Sequence, residues 1–455
     1  MSTEENQERG RLTRNVVYPF ANVNFLEQNP PLCIDAGDGV YVSDSRGKRY
    51  LDGQAGLWNV NVGHGRDEIK RAIVEQLNRL GFYSLFGNTT NSPSVALATE
   101  LCRLAEHEGM KRAFFSSGGS EAIEAALKLA KQYWRLAGQP TRTKIISLRR
   151  AYHGVTLGAL SAGGVAFYKE QFEPLLPGFL QVESPYLYRN PFTSDPIELG
   201  RLCAELLERE ILYQGPSSVA AFVAEPVQGA GGVVVPPPNF WPLVRQVCDR
   251  YNVLLISDEV VTGFGRIGSM FGCRAWNVKP DIMVFAKGIN SGYVPLGATL
   301  INERVEKAFL SEDKAQFTTR AFIHGNTYAG HPLAAAAALA NLRIVEEEDL
   351  PSNAAKVGQY FLDRLKDIQT RHPNMGDVRG KGLMLAVELV ADPETKKPFD
   401  LTEDFGARIW ERCVEKGVLI RNLADTFIIS PPLTFKTEHV DRVVDAFDQA
   451  IGEVE

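Results

Sequence analysis

The chain has 455 residues, of which 44% are hydrophobic and 23% charged, and its formal net charge is −6. This length exceeds one simple core and predicts two domains of a globular protein. The acidic balance argues against nucleic acid as the main partner, and scattered cysteines without a CxxC pair argue against a metal site or disulfide framework. A polar, acidic N-terminus and the lack of any bilayer-length apolar stretch predict a cytoplasmic protein without a membrane segment.

The first predicted elements precede the main alternation of strands and helices. Residues 1–20 are interpreted as an arm that is mobile or clasps a partner. The runs 39–44 and 48–52 predict a β-hairpin, because they flank the turn residues 45–47. A helix is predicted over residues 66–80, where four apolar residues follow helical spacing. These residues are Ile69, Ala72, Ile73 and Leu77.

Short apolar runs alternate with helical segments between about residues 93 and 330. Such alternation predicts a mostly parallel sheet covered by helices. The predicted strands are Arg112–Phe115, Lys144–Leu148, Val219–Ala224, Val253–Ser257, Ile282–Ala286 and Gly297–Ile301. We therefore expect an α/β fold in which a large domain, residues 61–330, contains this sheet.

A second, smaller unit is predicted after Pro332. It opens with an alanine-rich helix from Ala334 to about Glu347. The later elements are a strand at 383–389, a helix at 404–416, strands at 418–421 and 427–430, and a helix at 437–451 with Thr437 as its N-cap. Residues 331–455 are assigned to this small α+β domain, and residues 1–60 to the arm and the rest of the small domain.

A lysine and an aspartate end two of the predicted strands. Lys287 follows the apolar run 282–286, and Asp258 follows the run 253–257. Burial disfavours an ammonium, which suits a lysine that must be neutral and nucleophilic. Pyridoxal phosphate needs such a lysine for its aldehyde and a carboxylate for its pyridinium nitrogen. A buried ion pair, or two unrelated charges at strand ends, would explain these two residues equally well.

Further residues at strand ends suit the phosphate and the ring of the same cofactor. Gly118, Gly119 and Ser120 form a turn of small residues before a predicted helix, which favours an anion. An ordinary N-cap with a glycine turn has the same sequence. Tyr152 and His153 follow another strand, where the tyrosine either stacks on a flat ring or packs under a loop.

Glu225 and Val260 complete this candidate site. Glu225 ends the strand 219–224, where it either contacts the ring side or caps a turn. Val260 is two residues beyond Asp258 on an extended chain, so it points to the same side and would press on the ring face opposite Tyr152. These positions all lie at the carboxyl ends of predicted strands, where open α/β sheets bind their ligands.

Short motifs between about Leu51 and Leu433 occur together in a specific order. They are Leu51–Gly53, Asn61–Gly65, Gly119–Glu121, Tyr152–Gly154, Glu225–Gly229, Asp258–Val260, Gly263–Arg266, Pro280–Ile282, Ala286–Gly288, Pro295–Gly297 and His324–Pro332. With them the chain resembles the class III pyridoxal-phosphate aminotransferases of fold type I, the ω-transaminases. Many relatives carry Ser-Gly-Ser at the phosphate turn, where this chain has Gly118, Gly119 and Ser120, so one hydroxyl donor is missing.

The resemblance implies a mostly parallel seven-stranded sheet, a smaller α+β domain, and a homodimer or tetramer with active sites at the subunit interface. Lys287 would be the Schiff-base lysine and proton carrier, and Asp258 would pair with the ring nitrogen. Tyr152 and Val260 would sandwich the ring, above a phosphate held by the glycine–serine turn. Thr327 would reach the phosphate of the neighbouring subunit.

The resemblance also implies a substrate pocket. Arg421 would bind the substrate carboxylate, although without the resemblance it is equally a surface arginine. Ala230 stands where glutamate-using relatives often have a glutamate, which favours pyruvate as the acceptor. Trp58 resembles the aromatic wall of the amine pocket, or else is a core residue. Tyr83 and Phe86 would add apolar wall, across the dimer.

The expected activity is therefore the transfer of an amino group from a primary ω-amine to pyruvate. Three alternatives stay open at this stage. One is a lyase, decarboxylase or aminomutase of the same fold, and another is an aminotransferase that uses 2-oxoglutarate. The third is a binding protein that keeps the fold without the reaction.

Overall fold

The computed structural model describes residues 15–455, so residues 1–14 of the expected N-terminal arm lie outside the described residues. Within that part, the strands form three sheets. The strands are β1 (Ile34–Asp38), β2 (Tyr41–Asp44), β3 (Arg49–Asp52), β4 (Met110–Ser116), β5 (Lys144–Leu148), β6 (Phe179–Val182), β7 (Val219–Ala224), β8 (Leu254–Asp258), β9 (Ile282–Phe285), β10 (Gly297–Asn302), β11 (Met375–Gly380), β12 (Leu385–Leu389), β13 (Val418–Leu419), β14 (Arg421–Leu423) and β15 (Thr426–Ile429).

Helices cover the sheets and connect their strands. The α-helices are Val23–Gln28, Ala55–Trp58, Asp67–Arg79, Ser92–Leu104, Gly119–Leu136, Leu157–Ala162, Ala166–Lys169, Pro196–Gln214, Phe240–Arg250, Glu303–Phe309, Phe317–Arg320, Pro332–Glu347, Leu350–Gln369, Phe405–Glu415 and Thr437–Gly452. The 3₁₀-helices are Pro216–Ser218, Cys273–Trp276, Lys287–Ile289, Lys314–Gln316 and Leu401–Glu403. Among the helices of residues 15–455, none has the length and apolar character that crossing a membrane requires.

The central sheet has seven strands in the order β4-β10-β9-β8-β7-β5-β6. Every neighbouring pair from β9 to β6 is parallel, and β10 runs antiparallel to both of its neighbours. Every residue of β7, β8 and β9 is buried, as expected for strands covered on both faces. The expected α/β fold with a mostly parallel seven-stranded sheet is thus confirmed.

Of the two other sheets, one joins the two ends of the chain. It has the order β1-β2-β3-β13 and pairs the N-terminal hairpin with a strand near the C-terminus. The other, β11-β12-β15-β14, is antiparallel throughout. On this basis we propose that residues 15–60 and 331–455 form the smaller domain and residues 61–330 the large one.

Several predicted boundaries need correction. The strand expected at 418–421 is two strands, because Ile420 separates β13 in one sheet from β14 in another. Thr437 is the first residue of the last helix, whose N-cap is Lys436. The strands β1, β6 and β11 were not predicted. Both β1 and β11 contain glycine and aspartate, which are rare in strands, so their propensity is weak.

Candidate active site

A cavity of about 130 Å³ opens at the carboxyl ends of the central strands. It is lined by Gly119, Ser120, Tyr152, His153, Gly154, Glu225, Asp258, Val260, Val261, Ala286 and Lys287. All the predicted cofactor residues except Gly118 and Thr327 therefore face one space. Larger cavities of about 870 and 690 Å³ lie elsewhere and contain none of these residues, so volume alone would have identified the wrong site.

Lys287 enters this cavity from a backbone in the left-handed region, at φ 45°. The next residue, Gly288, packs so closely on Asn61 that a side chain there would collide with it. Burial lowers the pKa of Lys287, and nearby Arg421 adds to this effect against the attraction of Asp258 and Glu225. A larger share of this amine is consequently neutral near pH 7 than in an exposed lysine.

Asp258 is buried beside the cavity and held from two sides. One carboxylate oxygen lies 2.7 Å from Nδ1 of His153, and the other accepts the N–H of Val260 at 3.1 Å. Burial disfavours the His153 imidazolium, but the hydrogen bond and charge of Asp258 outweigh it and raise the pKa of His153. The sequence did not predict this imidazole–carboxylate pair, which fixes the position of the Asp258 carboxylate at the wall of the cavity.

The predicted phosphate turn is the start of the helix Gly119–Leu136. Its N-cap is Gly118, which provides no side-chain cap, so the first N–H groups of the helix are left for a ligand. The hydroxyl of Ser120 accepts the N–H of Val155 at 3.1 Å. A Cβ at Gly154 would collide with this hydroxyl, which explains the glycine. The turn can therefore bind an anion at close range.

Glu225 ties the tyrosine loop to the opposite wall of the cavity. One of its oxygens accepts the N–H of Tyr152 at 3.0 Å, and the other accepts the N–H of Gly229 at 2.7 Å. Burial raises the pKa of Glu225, and the charge of Asp258 adds to this effect. The side chain of Val260 lines the same cavity beside the phosphate turn, since a Cβ at residue 119 would be 3.2 Å from it.

Three of the predicted substrate residues, Trp58, Ala230 and Arg421, lie close to this cavity. Trp58 is buried at φ 61°, and a Cβ at Gly229 would lie 3.2 Å from its ring and 3.5 Å from Glu225. The Arg421 guanidinium lies 5.6 Å from the centre of the Trp58 ring. Ala230 packs at the edge of the same apolar cluster. Burial lowers the pKa of Arg421, and its buried Nε has no hydrogen-bond partner in the described part of the chain.

The three side chains that are predicted to act across the subunit interface do not line the cavity of their own chain. Tyr83 and Phe86 are 51% and 54% exposed, and Thr327 is exposed as well. The loop that carries Thr327 is fixed next to the phosphate turn, because Asn326 donates to Glu121 at 2.9 Å. All three side chains are therefore free to contact another subunit.

Sequence reasoning missed some residues around the site. Val261 and Ala286 line the cavity although no motif gave them a role. The ring of Tyr168 lies 5.6 Å from that of Tyr152, edge to face, and Phe20 lies 5.3 Å from Tyr168 on the outer side. Tyr168 and Phe20 have no strand-end position or spacing that could have identified them, since only the fold brings them together.

The residues present fit pyridoxal phosphate. The amine of Lys287 has no hydrogen-bond partner within residues 15–455, and it shares the cavity with the buried carboxylate of Asp258. A helix N-terminus without a side-chain cap supplies the anion site, where a Cβ at Gly154 would fill the space. The parallel sheet and this donor set define a pyridoxal-phosphate enzyme of fold type I.

Comparison with known proteins narrows this class to one family. The family description "Aminotransferase class-III" matches residues 23–451. The putrescine–pyruvate aminotransferase of Pseudomonas aeruginosa is 39% identical, covering 94% of this chain and 91% of that protein. The adenosylmethionine-8-amino-7-oxononanoate aminotransferase of Geobacter sulfurreducens is 42% identical, with 97% and 96% covered.

A solved structure is similar over almost the whole chain. It is an amine transaminase from an uncultivated Pseudomonas species in its pyridoxal-phosphate-bound form, with a TM-score of 0.94 and 46% identity, covering 97% of this chain and 99% of that one. The chain belongs to the class III aminotransferases, and it is a pyridoxal-phosphate-dependent aminotransferase.

Proposed function

We propose that the protein transfers the amino group of a primary ω-amine to pyruvate, giving an aldehyde or ketone and alanine. The observation that carries this proposal is Arg421. Its guanidinium is half-buried against Trp58, and it forms no ion pair with any of the residues 15–455. A desolvated, unpaired cation needs an anionic partner, and a substrate carboxylate meets that need in a bidentate geometry.

Several residues that line the cavity then have a proposed part in the reaction. Bound pyridoxal phosphate supplies an aldehyde that accepts the amino group and a ring that withdraws electrons. Lys287 would hold the cofactor and then carry a proton on its Nζ from the substrate carbon to the former aldehyde carbon of the cofactor. With the acceptor it would carry the proton in the opposite direction, to the carbon of the former keto group. Asp258, oriented by His153, would keep the ring nitrogen protonated. The helix start at Gly119 and Ser120 would bind the phosphate.

The preference for pyruvate rests on the surroundings of Arg421. Burial lowers the pKa of the Arg421 guanidinium against the opposing effect of the Tyr168 and Tyr152 phenols, and no carboxylate of residues 15–455 forms an ion pair with it. Ala230 cannot neutralise the guanidinium. A slim amine without a carboxylate would have to coexist with this charge or displace the arginine, whereas pyruvate would pair with it.

We also propose a homodimer in which each subunit completes the site of the other. The exposed aromatic rings of Tyr83 and Phe86 would add apolar wall to the partner's amine pocket. Exposed Thr327 would donate its hydroxyl to the partner's phosphate. The exposure of the three side chains supports this proposal.

The test is a panel of amines assayed with pyruvate and, separately, with 2-oxoglutarate. We expect turnover of linear ω-amines with pyruvate to exceed turnover with 2-oxoglutarate by at least about tenfold, equivalent to about 1.4 kcal/mol. An Arg421→Leu variant should lose most of its activity with pyruvate through a raised KM. Faster turnover with 2-oxoglutarate would contradict the proposed acceptor, and product formed without any acceptor would identify a lyase or mutase.

A further inference from the structure

The turn that carries Trp58 has an unusual backbone. Ala55, Gly56 and Trp58 all lie in the left-handed region, at φ 46°, 65° and 61°. Such conformations are unfavourable for residues other than glycine, and they persist only where the surroundings hold them. Since Ala55 and Trp58 are both buried, the energy that holds this turn must come from specific contacts.

Asp52 provides those contacts. Its carboxylate accepts the N–H of Gln54 at 3.2 Å and the N–H of Gly56 at 2.9 Å, so it closes the turn from inside. The oxygen that bonds to Gly56 also lies 2.9 Å from Nε2 of His64. Asp52 is 1% exposed. If this buried carboxylate loses one of its three hydrogen-bond partners, the unsatisfied oxygen lowers the stability of the turn.

The same residue is part of the joint that places Arg421. In the pairing of β3 with β13, Asp52 lies opposite Leu419, and the N–H of Gly53 donates to the carbonyl of Leu419 at 2.8 Å. A Cβ at Gly53 would lie 2.8 Å from that carbonyl, so the two chains meet without a side chain between them. Arg421 follows two residues later. The turn that carries Trp58 and the strand that leads to Arg421 are therefore held together by this pairing of residues 52–53 with Leu419.

We propose that Asp52, supported by His64, is a positioning residue that sets the Trp58 ring against Arg421 and thereby decides which amines the enzyme accepts. This inference rests on the proposed function of Trp58 and Arg421 as walls of the substrate pocket. Asp52 does not line the cofactor cavity, so it acts through the turn and not on the reacting atoms.

The hairpin before this turn offers a matched control. Asp44 accepts the N–H groups of Arg46 and Lys48 at 3.0 and 2.9 Å, and its second oxygen accepts the hydroxyl of Tyr50 at 2.9 Å. It is a buried aspartate that closes a turn through the same kinds of bond, but it holds no substrate residue. A purely structural effect should appear equally at Asp44 and Asp52.

The experiment compares Asp52→Asn, Asp44→Asn and Trp58→Ala in the holoenzyme. An amide at residue 52 keeps the shape, but its NH2 group faces either the N–H of Gly56 or the N–H of Gln54, so at least one bond of the turn is lost. We measure kcat/KM for a linear ω-amine and a bulky aryl-alkyl amine with saturating pyruvate, and hydrogen–deuterium exchange over residues 52–60. We expect the ratio of the two kcat/KM values to change at least about tenfold in Asp52→Asn, as a reshaped pocket allows. Hydrogen–deuterium exchange over residues 52–60 should be faster, and the cofactor absorbance should be unchanged.

A His64→Gln variant keeps a donor near Asp52 and should give a smaller change in the same direction. If Asp52→Asn lowers kcat/KM for both amines by the same factor, as Asp44→Asn should, the inference is overturned while the proposed function stands. If Trp58→Ala leaves the ratio of the two amines unchanged, the proposed substrate pocket is wrong and the inference falls with it. These two failures are distinguished by the tryptophan variant alone.

Discussion

Lys287 combines three features that set it apart from the other lysines. Its backbone is left-handed, its side chain shares a cavity with a buried carboxylate, and burial lowers its pKa. The strained backbone persists because Gly288 packs on Asn61 and leaves no room to relax. The left-handed backbone and the burial of the amine both lower the stability of the folded chain. They also hold the Lys287 amine in the cavity and keep it partly neutral.

A Lys287→Ala variant should lose both activity and the cofactor absorbance band near roughly 410 nm, because no other amine lines the cavity in the described part of the chain. Absorbance spectra and a pyruvate-dependent assay check this prediction. Lys279→Ala is the matched control, since Lys279 is exposed and lies before β9. A variant at residue 287 that kept the band would contradict the assignment.

The lowered pKa of Lys287 predicts a pH-dependent stability of the apoenzyme. Below the folded pKa the buried ammonium is a cost that the unfolded chain does not bear, and this cost fades as pH rises through the folded pKa towards the ordinary value of 10.5. Lys287→Met should therefore melt at a higher temperature than the wild-type apoenzyme at neutral and lower pH, and the gap should close towards pH 10.5. Equal gaps at all pH values would contradict this.

At the scale of elements, the start of the helix Gly119–Leu136 shows where glycine is required and where it is not. A Cβ at Gly154, whose φ is 127°, would collide with the Ser120 hydroxyl. Gly118 has an extended backbone at φ −178°, and nothing lies within 4 Å of a Cβ there. Gly154 is therefore needed for the shape of the phosphate turn, whereas a side chain at residue 118 would find free space.

Gly154→Ala should consequently destabilise the holoenzyme by about 1–3 kcal/mol and weaken cofactor binding, because overpacking and backbone strain act together. Gly118→Ala should change both properties little. Thermal unfolding and titration of the apoenzyme with pyridoxal phosphate measure the two effects. Equal damage from both substitutions would show that the turn is not shaped by the contact with Ser120.

The sequence predicted the elements whose periodicity is strong. The strands β5 and β7 have the predicted bounds: β7 is apolar and buried throughout, and β5 is apolar except for Lys144 and Ser147. It could not predict that Ile420 separates two strands of different sheets, because an apolar run contains no signal for the sheet that each residue joins. The short edge strand β6, with the sequence Phe-Leu-Gln-Val, has too few residues to show a period.

The cofactor cavity was largely predictable for a related reason. Strand ends in a parallel sheet converge, so residues that follow apolar runs must meet at one edge. The His153–Asp258 contact was not predictable, because His153 lies in the loop after β5, Asp258 ends β8, and β7 separates these two strands in the sheet. Residues such as Tyr168 depend on how loops fold over the sheet, which no local pattern in the sequence records.

At the scale of the whole molecule, exposed aromatic side chains surround the loop that carries Thr327. Phe82 and Tyr328 contact each other at 5.7 Å between ring centres, and both are exposed together with Tyr83 and Phe86. An apolar patch beside the phosphate turn favours association with a second copy. This geometry leads to a test of whether the sites are shared between subunits.

Mixed dimers of Lys287→Ala and Thr327→Ala chains should recover activity that neither variant has alone. If Thr327 serves the partner's site, one site of the mixed dimer has both residues intact and the other lacks both. Activity should approach half of the wild-type value per dimer. If Thr327 acted within its own chain, both sites would be damaged and mixing would restore nothing.

The pairing of β3 with β13 has a consequence for how the protein is made. During synthesis, β3 leaves the ribosome long before its neighbour, since Val418 lies opposite Leu51 in the finished sheet. At translation rates of about 5–20 residues per second, the N-terminal hairpin waits roughly 20–70 s with an open strand edge. An open strand edge can pair with other chains, so β3 stays exposed to misassociation until β13 has been made.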